Sequence, residues 1–295
     1  MDIQKTLKLL ELWYSRSDVK FQLIKYTYNR EFALFVPSFL RNVIDEKSLN
    51  KLTYDKYSIR MLKCHNVQHL DYILNKGIRM FEKQIPFNFY YSLARYSNGI
   101  PNQTFNLSLR DNSGWVSSHY KEMIEYDFLI DVDSGDHSDI EYAWDSTKDI
   151  INYFDLLQVP YELRFSGMGF HIIVPYVYFP KYSFNPKDND NIYTLYSRIA
   201  KMLKERFSEM LDTTIYDSRR VCKLPFSLSI YEDGVYVCTP FLSRLDFDNF
   251  NLFNYRVDTV PCEDITISKE NRKIFNPEGH IKHLLSDLER FEKNG

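Results

Sequence analysis

The segment richest in chemistry is Phe128-Leu129-Ile130-Asp131-Val132-Asp133. Side chains two apart on a strand share a face, so Asp131 and Asp133 point one way and Ile130 and Val132 the other. Two carboxylates on one face repel, and both stay ionised only with a cation between them. A hard, oxygen-preferring ion such as Mg²⁺ or Mn²⁺ suits that pair. The same residues also describe a strand running out into a solvated acidic turn, Asp131 to Asp136, and so short a pattern does not choose between the two.

A second cluster is Ser166-Gly167-Met168-Gly169-Phe170-His171. Two glycines between strands let backbone amides approach a phosphate, with the Ser166 hydroxyl and the His171 ring as further donors. The plainer reading is a tight hairpin whose histidine is satisfied by a nearby carbonyl. A third cluster runs from Asp212 through Asp217, Arg219, Arg220 and Lys223 to Pro225 and Ser227. One carboxylate there could complete a metal site while Arg220 and Lys223 neutralise a triphosphate; a surface strand of mixed charge would look the same. Taken in order, the three clusters make the inventory for metal-assisted nucleotidyl transfer: three carboxylates for two cations, then donors for phosphates.

The elements that must position these groups follow from periodicity. Helices are expected over residues 4–14, 140–157, 191–211 and 278–293, and strands over 29–36, 57–64, 86–96, 124–133, 161–166, 170–177, 213–216, 226–230 and 235–239. Turn residues gather at Asn98 to Pro101, Asp111 to Gly114, Asp133 to Asp139 and Asn185 to Asn191. Helices interspersed with strands and hairpins favour an α+β fold over a doubly wound sheet.

The 295 residues are 44% hydrophobic and 16% aromatic, with 23 Tyr and 22 Phe against 9 Gly, which excludes a disordered chain. The absence of a long apolar run argues against a transmembrane helix, and Asp2 with a charge-broken N-terminus makes a poor signal peptide. Cys64, Cys222, Cys238 and Cys262 are far apart, with no zinc spacing, so an intracellular compartment and no structural zinc are expected. Residues 1–100 carry 16 Lys and Arg against 9 Asp and Glu, and the remainder 21 against 31. A basic first third beside an acidic remainder fits a polyanion contact next to a metal centre, although uneven charge also arises by chance. Tyr26, Tyr28, Tyr54 and Tyr57 in that third could stack on bases, or could be ordinary core and strand residues.

At these residues the sequence resembles the archaeo-eukaryotic primase superfamily, specifically the small catalytic subunit of DNA primase and its primase-polymerase relatives. Phe128 to Asp133 resembles the family's first catalytic motif, Ser166 to His171 its Ser-Gly-x-Gly-x-His nucleotide motif, and Asp212 to Leu228 its third motif. Asn29-Arg30-Glu31-Phe32-Ala33 resembles the Arg-Glu-Phe signature of the small subunits. The resemblance implies an α+β fold with an RNA-recognition-module (RRM)-like central mixed sheet flanked by helices and an N-terminal α/β layer; the zinc module common in the family is not expected here. It implies one catalytic domain over 1–295: an N-terminal module (1–105), a catalytic module (106–260) and a helical tail (261–295).

The implied activity is template-directed primer synthesis from NTPs or dNTPs on single-stranded DNA, with two Mg²⁺ or Mn²⁺ ions. The alternatives are a gap-filling or end-joining repair polymerase and a non-catalytic nucleic-acid-binding subunit. Carried over, Asp131, Asp133 and Asp212 are the metal ligands. Ser166, Gly167 and His171 hold the incoming nucleotide, Arg220 and Lys223 its phosphates, and Arg30 helps at the initiation site. Asp217 competes with Asp212; the spacing of Asp212 to Arg220 and Lys223 matches the family better. The chain departs from the family in having Met168-Gly169 where eukaryotic relatives carry arginines, Ser229 where a histidine is common, and no Cys between 134 and 160. A primase large subunit, or another replication protein, would have to be a separate chain.

Overall fold

The computed structural model describes residues 2–43, 58–79, 86–99, 120–259 and 273–294. Tyr54, Tyr57, Cys262 and the turn expected at Asp111 to Gly114 lie outside them. In chain order the elements are α1 (Ile3–Ser15), α2 (Ser17–Thr27), β1 (Phe32–Phe35), β2 (Ser58–Leu62), α3 (Val67–Arg79), β3 (Asn88–Ser92), β4 (Ala94–Tyr96), β5 (Met123–Tyr126) and β6 (Phe128–Asp133). There follow α4 (Ile140–Leu156), β7 (Glu162–Phe165), β8 (Gly169–Val174), α5 (Ile192–Phe207), β9 (Val221–Lys223), β10 (Leu228–Ile230), β11 (Val235–Val237), α6 (Arg244–Asp248) and α7 (Lys282–Asn294).

The central sheet has the order β6-β8-β7, and both pairings are antiparallel. Strands β6 and β7 therefore run parallel to each other with β8 between them, joined by the α4 crossover. This differs from the mixed sheet expected from the sequence: the Ser166–Gly169 hairpin folds β8 back into the gap that a direct parallel pairing would have closed. Beyond β6, Leu211 bridges Val132 in antiparallel sense and Asp212 N–H donates to Asp131 O at 3.1 Å. All six residues of β8 are buried, and Phe170, Ile172, Ile173 and Val174 make it an apolar strand interrupted only by His171. Helices α4 and α5 bury Ile150, Ile151 and Phe154, and Ile192, Ile199, Met202 and Leu203.

A second sheet, β2-β1-β3-β9, is also antiparallel throughout. Its first three strands come from the basic N-terminal third and its fourth from the third cluster. The two parts of the chain thus share a sheet. Asp2 caps α1 by accepting from Gln4 N–H and Lys5 N–H. Leu7, Leu10 and Tyr14 line its inner face, and Trp13 Nε1 donates to Phe226 O at 2.9 Å. The expected strand 124–133 is split at Asp127, whose buried carboxylate accepts from Tyr176 N–H at 3.0 Å and from Arg30 at 2.8 Å. No strand forms at 213–216, because the Asp212 side chain accepts from Thr214 N–H and Oγ1–H and turns the chain there. No helix of the described residues is long and apolar enough to cross a membrane.

Candidate active site

Pairing β6 with β8 puts Asp131 opposite His171 and Asp133 opposite Gly169. The Asp131 Oδ1 to His171 Nε2 separation is 3.4 Å. Gly169 makes this pairing possible: a Cβ there would stand 2.0 Å from Val132 O and 3.0 Å from the Asp133 Cα. The neighbouring Gly167 has φ +101°, and a Cβ there would meet the Ser229 Cβ at 2.5 Å. Ser166 closes the turn from both sides, its N–H donating to Gly169 O at 2.9 Å and its Oγ accepting from Gly169 N–H at 3.1 Å.

The two acids of β6 have opposite electrostatics. Burial opposes the charge of Asp131, but His171, Arg220 and Lys223 outweigh it and hold that carboxyl below the usual range. Asp133, the exposed last residue of β6, is pushed up by partial desolvation of its carboxyl where it faces Asp131 and then by the Asp131 charge, against the Gly135 N–H at 3.0 Å, His171 and Lys223. Lys223 remains well above its usual range: burial works against its charge, and the Tyr231 and Tyr90 hydroxyls, the Cys238 thiol and a hydrogen bond to Tyr90 more than compensate; the Tyr90 and Tyr231 ring centroids lie 4.6 and 5.4 Å from Nζ.

The third cluster reaches this face through two anchors. The Asp212 backbone is bonded to Asp131, and β9 is fixed to β3 by the Tyr90–Lys223 and Tyr91–Cys222 pairs. The Asp212 carboxylate is turned onto Thr214 and lies 3.6 Å from Arg220 Nη2. Arg220 Nε is buried and finds no acceptor among the described residues. Asp217 lies elsewhere: it caps Arg219 N–H at 2.7 Å and borders a cleft of roughly 520 Å³ lined by Tyr193, Arg198 and Ser218 on the α5 side. Of the two competing acids, Asp212 is the one beside Asp131.

Arg30 is not part of this face. It is buried, bonded to Asp127, Ser92 O and Leu93 O, and stacked over Tyr91 at 5.6 Å, so no triphosphate can reach it. The Arg-Glu-Phe run is instead a packing device: Glu31 next to it holds Arg60 at 2.5 Å, and Arg60 donates to Arg219 O at 2.7 Å. Tyr26 is half-buried against Tyr91 and Phe226, whereas Tyr28 is exposed beside His65. Sequence reasoning missed His137, whose ring nitrogens reach Asp233 and Gly167 O. Its only sequence signal was its place in the acidic turn after β6.

Among the described residues no group of three or more His, Cys, Asp or Glu is gathered tightly enough to hold a metal ion. The donor chemistry of the β6 pair nonetheless fits a hard divalent cation. Both donors are carboxylate oxygens, and the share of the upward push on Asp133 that comes from the Asp131 charge is one a cation held between the two would offset.

No protein-family model matches the chain, and no curated protein matches it. Among solved structures, the chain is similar to the polymerase domain of Mycobacterium tuberculosis Ligase D in complex with DNA, at 9% identity and a TM-score of 0.44, over 95% of this chain and 88% of that one. A likeness at that level assigns neither a family nor an activity, and the functional reading rests on the residues of the site.

Proposed function

We propose that the chain is a template-directed nucleotidyltransferase of the primase-polymerase kind. The observation that carries this reading is that three segments distant in sequence converge around Asp131: the Asp131–Asp133 pair, His171 at the start of β8 after the Ser166–Gly169 turn, and the Asp212 to Lys223 segment, whose Asp212 N–H bonds Asp131 O and whose Arg220 and Lys223 charges act on Asp131. The strand–helix–hairpin–helix order around β6-β8-β7, with residue 211 beside β6, supports an RRM-like catalytic module over 106–260. The N-terminal module (1–105) and the tail (261–295) complete one catalytic domain.

Asp131 and Asp133 would hold Mg²⁺ or Mn²⁺, with Asp212 as the adjoining carboxylate. Such ions, when bound, lower the pKa of an attacking hydroxyl and neutralise developing charge on the phosphate. The Ser166–Gly169 turn offers backbone donors to the triphosphate, and His171 adds a side-chain donor beside Asp131. Arg220 brings a buried N–H that lacks an acceptor among the described residues, and Lys223 a charge kept on by its tyrosines. These groups act by positioning the 3′-hydroxyl donor and the α-phosphate and by matching charge that grows in the transition state. Single-stranded DNA as template, NTPs or dNTPs as substrates and a separate large subunit as partner belong to the same proposal.

The test is nucleotide incorporation on a single-stranded template, with and without a primer, in Mg²⁺ and in Mn²⁺. Products without a primer support primer synthesis, and products only from a primer support a repair polymerase. Asp131→Ala combined with Asp133→Ala abolishes both. An inactive wild type that shows no Mn²⁺-dependent triphosphate binding would make the chain a non-catalytic subunit.

A further inference from the structure

Every carbonyl of the Ser166-Gly167-Met168 run is held by a side chain from outside the turn. Ser166 O accepts from the Cys238 thiol at 3.0 Å, Gly167 O from His137 Nε2 at 2.6 Å, and Met168 O from Ser134 Oγ at 2.5 Å. In a planar trans peptide the following N–H points opposite to the carbonyl. Gly167 N–H is thereby turned away from Cys238, and Met168 N–H away from His137. Neither finds an acceptor among the described residues, whereas Gly169 N–H is spent on Ser166 Oγ. The turn is left with two adjacent amide donors whose directions are set by groups outside it.

Of the three holding groups, His137 has the most support of its own. A carbonyl oxygen only accepts, so Nε2 is the donor to Gly167 O. Nδ1 stands 2.7 Å from Asp233 Oδ2, an oxygen that accepts from Tyr236 OH at 2.9 Å, and for both ring contacts to be hydrogen bonds each ring nitrogen must carry a proton. The ring packs on Tyr236 at 4.2 Å and edge-on to Tyr231 at 5.0 Å. Asp233 is fixed in turn, its carbonyl accepting from Arg256 Nη2 at 2.7 Å, and Arg256 pairs with Asp258. A histidine that merely filled the loop before α4 would need neither a carboxylate nor two aromatic walls.

We propose that His137, oriented by Asp233, is a positioning residue for nucleotide binding: by holding the Gly167 carbonyl it keeps Met168 N–H presented to a phosphate. This rests on the reading of the Ser166–Gly169 turn given under Proposed function. It links three loops, since the loop after β6, the hairpin before β8 and the β10–β11 turn must all be in place before the turn is set.

The experiment uses the full chain and its His137→Ala, His137→Gln and Asp233→Asn variants, with dGTP plus Mn²⁺ as the probe. Calorimetry gives affinity, steady-state incorporation gives kcat, amide hydrogen exchange reports Gly169, and thermal melts confirm folding. Loss of one oriented hydrogen bond predicts about tenfold weaker dGTP binding for His137→Ala, with kcat at saturation changed by less than about threefold. Gln can still donate to Gly167 O, so His137→Gln recovers most of the affinity, and Asp233→Asn falls between. Gly169 exchange should rise about tenfold in His137→Ala as the turn loosens. Folded His137→Ala binding dGTP within about twofold of wild type overturns the proposal. So does an equal loss in the Ala and Gln variants that tracks a fall in Tm. If the wild type itself binds no dGTP, the functional reading fails, and the exchange data alone decide the clamp: unchanged Gly169 exchange refutes it.

Discussion

Gly169→Ala tests how closely the two acidic positions and the nucleotide turn are bound to one another. The new Cβ would lie 2.0 Å from Val132 O and 3.0 Å from both Val132 C and the Asp133 Cα, where ordinary contact begins at 3.4 Å. All three neighbours are main chain, so no rotamer change relieves the clash. β8 and β6 must part by more than about 1 Å at the Asp133–Gly169 pair, two residues from Asp131–His171. Overpacking against side chains costs about 1–3 kcal/mol, and a rigid backbone puts this case at the upper end, about 3 kcal/mol. For a chain of this size that is a fall in Tm of about 6–12 °C. A displacement of about 1 Å between reacting groups also predicts a loss near 100-fold in nucleotide incorporation. Scanning calorimetry and a primer-extension assay read the two effects. A variant that melts within about 1 °C of wild type and keeps full activity would refute the packing argument and the coupling drawn from it.

Four further outcomes are expected. Gly167→Ala is both strained at φ +101° and in collision with Ser229, so adding Ser229→Gly should recover part of its lost Tm and leave the rest. Arg30→Ala breaks a buried pair with Asp127, both side chains being at most 5% exposed, and should cost about 3–5 kcal/mol by denaturant unfolding. The dGTP affinity of the protein that remains folded should be unchanged; a selective loss of affinity would return Arg30 to the site. A carboxyl whose folded pKa is raised binds its proton more tightly folded than unfolded, so Asp133 costs stability as pH rises above the ordinary carboxylate range. Asp133→Asn should therefore raise the metal-free Tm at pH 7, with the gain vanishing at low pH. Asp131 is depressed, so its contribution is present at neutral pH and lost as pH falls, and Asp131→Asn should lower the Tm at pH 7 in the same melts.

The parts of the fold legible in the sequence were those set by local pattern. The spacing of Ile150, Ile151 and Phe154 marks α4, and Ile192, Ile199 and Leu203 mark α5. Alternation places Asp131 and Asp133 on one face of β6 without knowledge of its partners. What stayed hidden depends on distant contacts. Asp127 sits in an apolar run and looks like its continuation; it ends β5 because Arg30, 97 residues earlier, needs a buried partner. The three residues of β9 are too few to show a period, and the N-terminal sheet makes them a strand. Helix α2 places Val19, Leu23 and Thr27 inward, but its low overall amphipathicity hides that stripe; α3 was legible, with Leu70, Ile73 and Leu74 at helical spacing and Asn66 capping His69 N–H at 2.8 Å, and was missed. In the site, the order of motifs picked out Asp131, Asp133, His171, Asp212, Arg220 and Lys223 as candidates, and the fold brings Asp131 opposite His171 and the Asp212 backbone onto Asp131. Arg30 was misplaced because a signature run does not reveal whether its arginine is buried. His137 was missed because its meaning comes from Asp233, 96 residues away.

The account depends on Asp131 and Asp133 being a divalent-cation site that serves the nucleotide turn. Its most direct test is electron paramagnetic resonance of Mn²⁺ titrated into the full chain with dGTP, for wild type and for Asp131→Asn combined with Asp133→Asn. The account predicts Mn²⁺ bound by the wild type, more tightly with dGTP present, and no protein-bound signal from the double variant. Equal Mn²⁺ binding by the two proteins would contradict it.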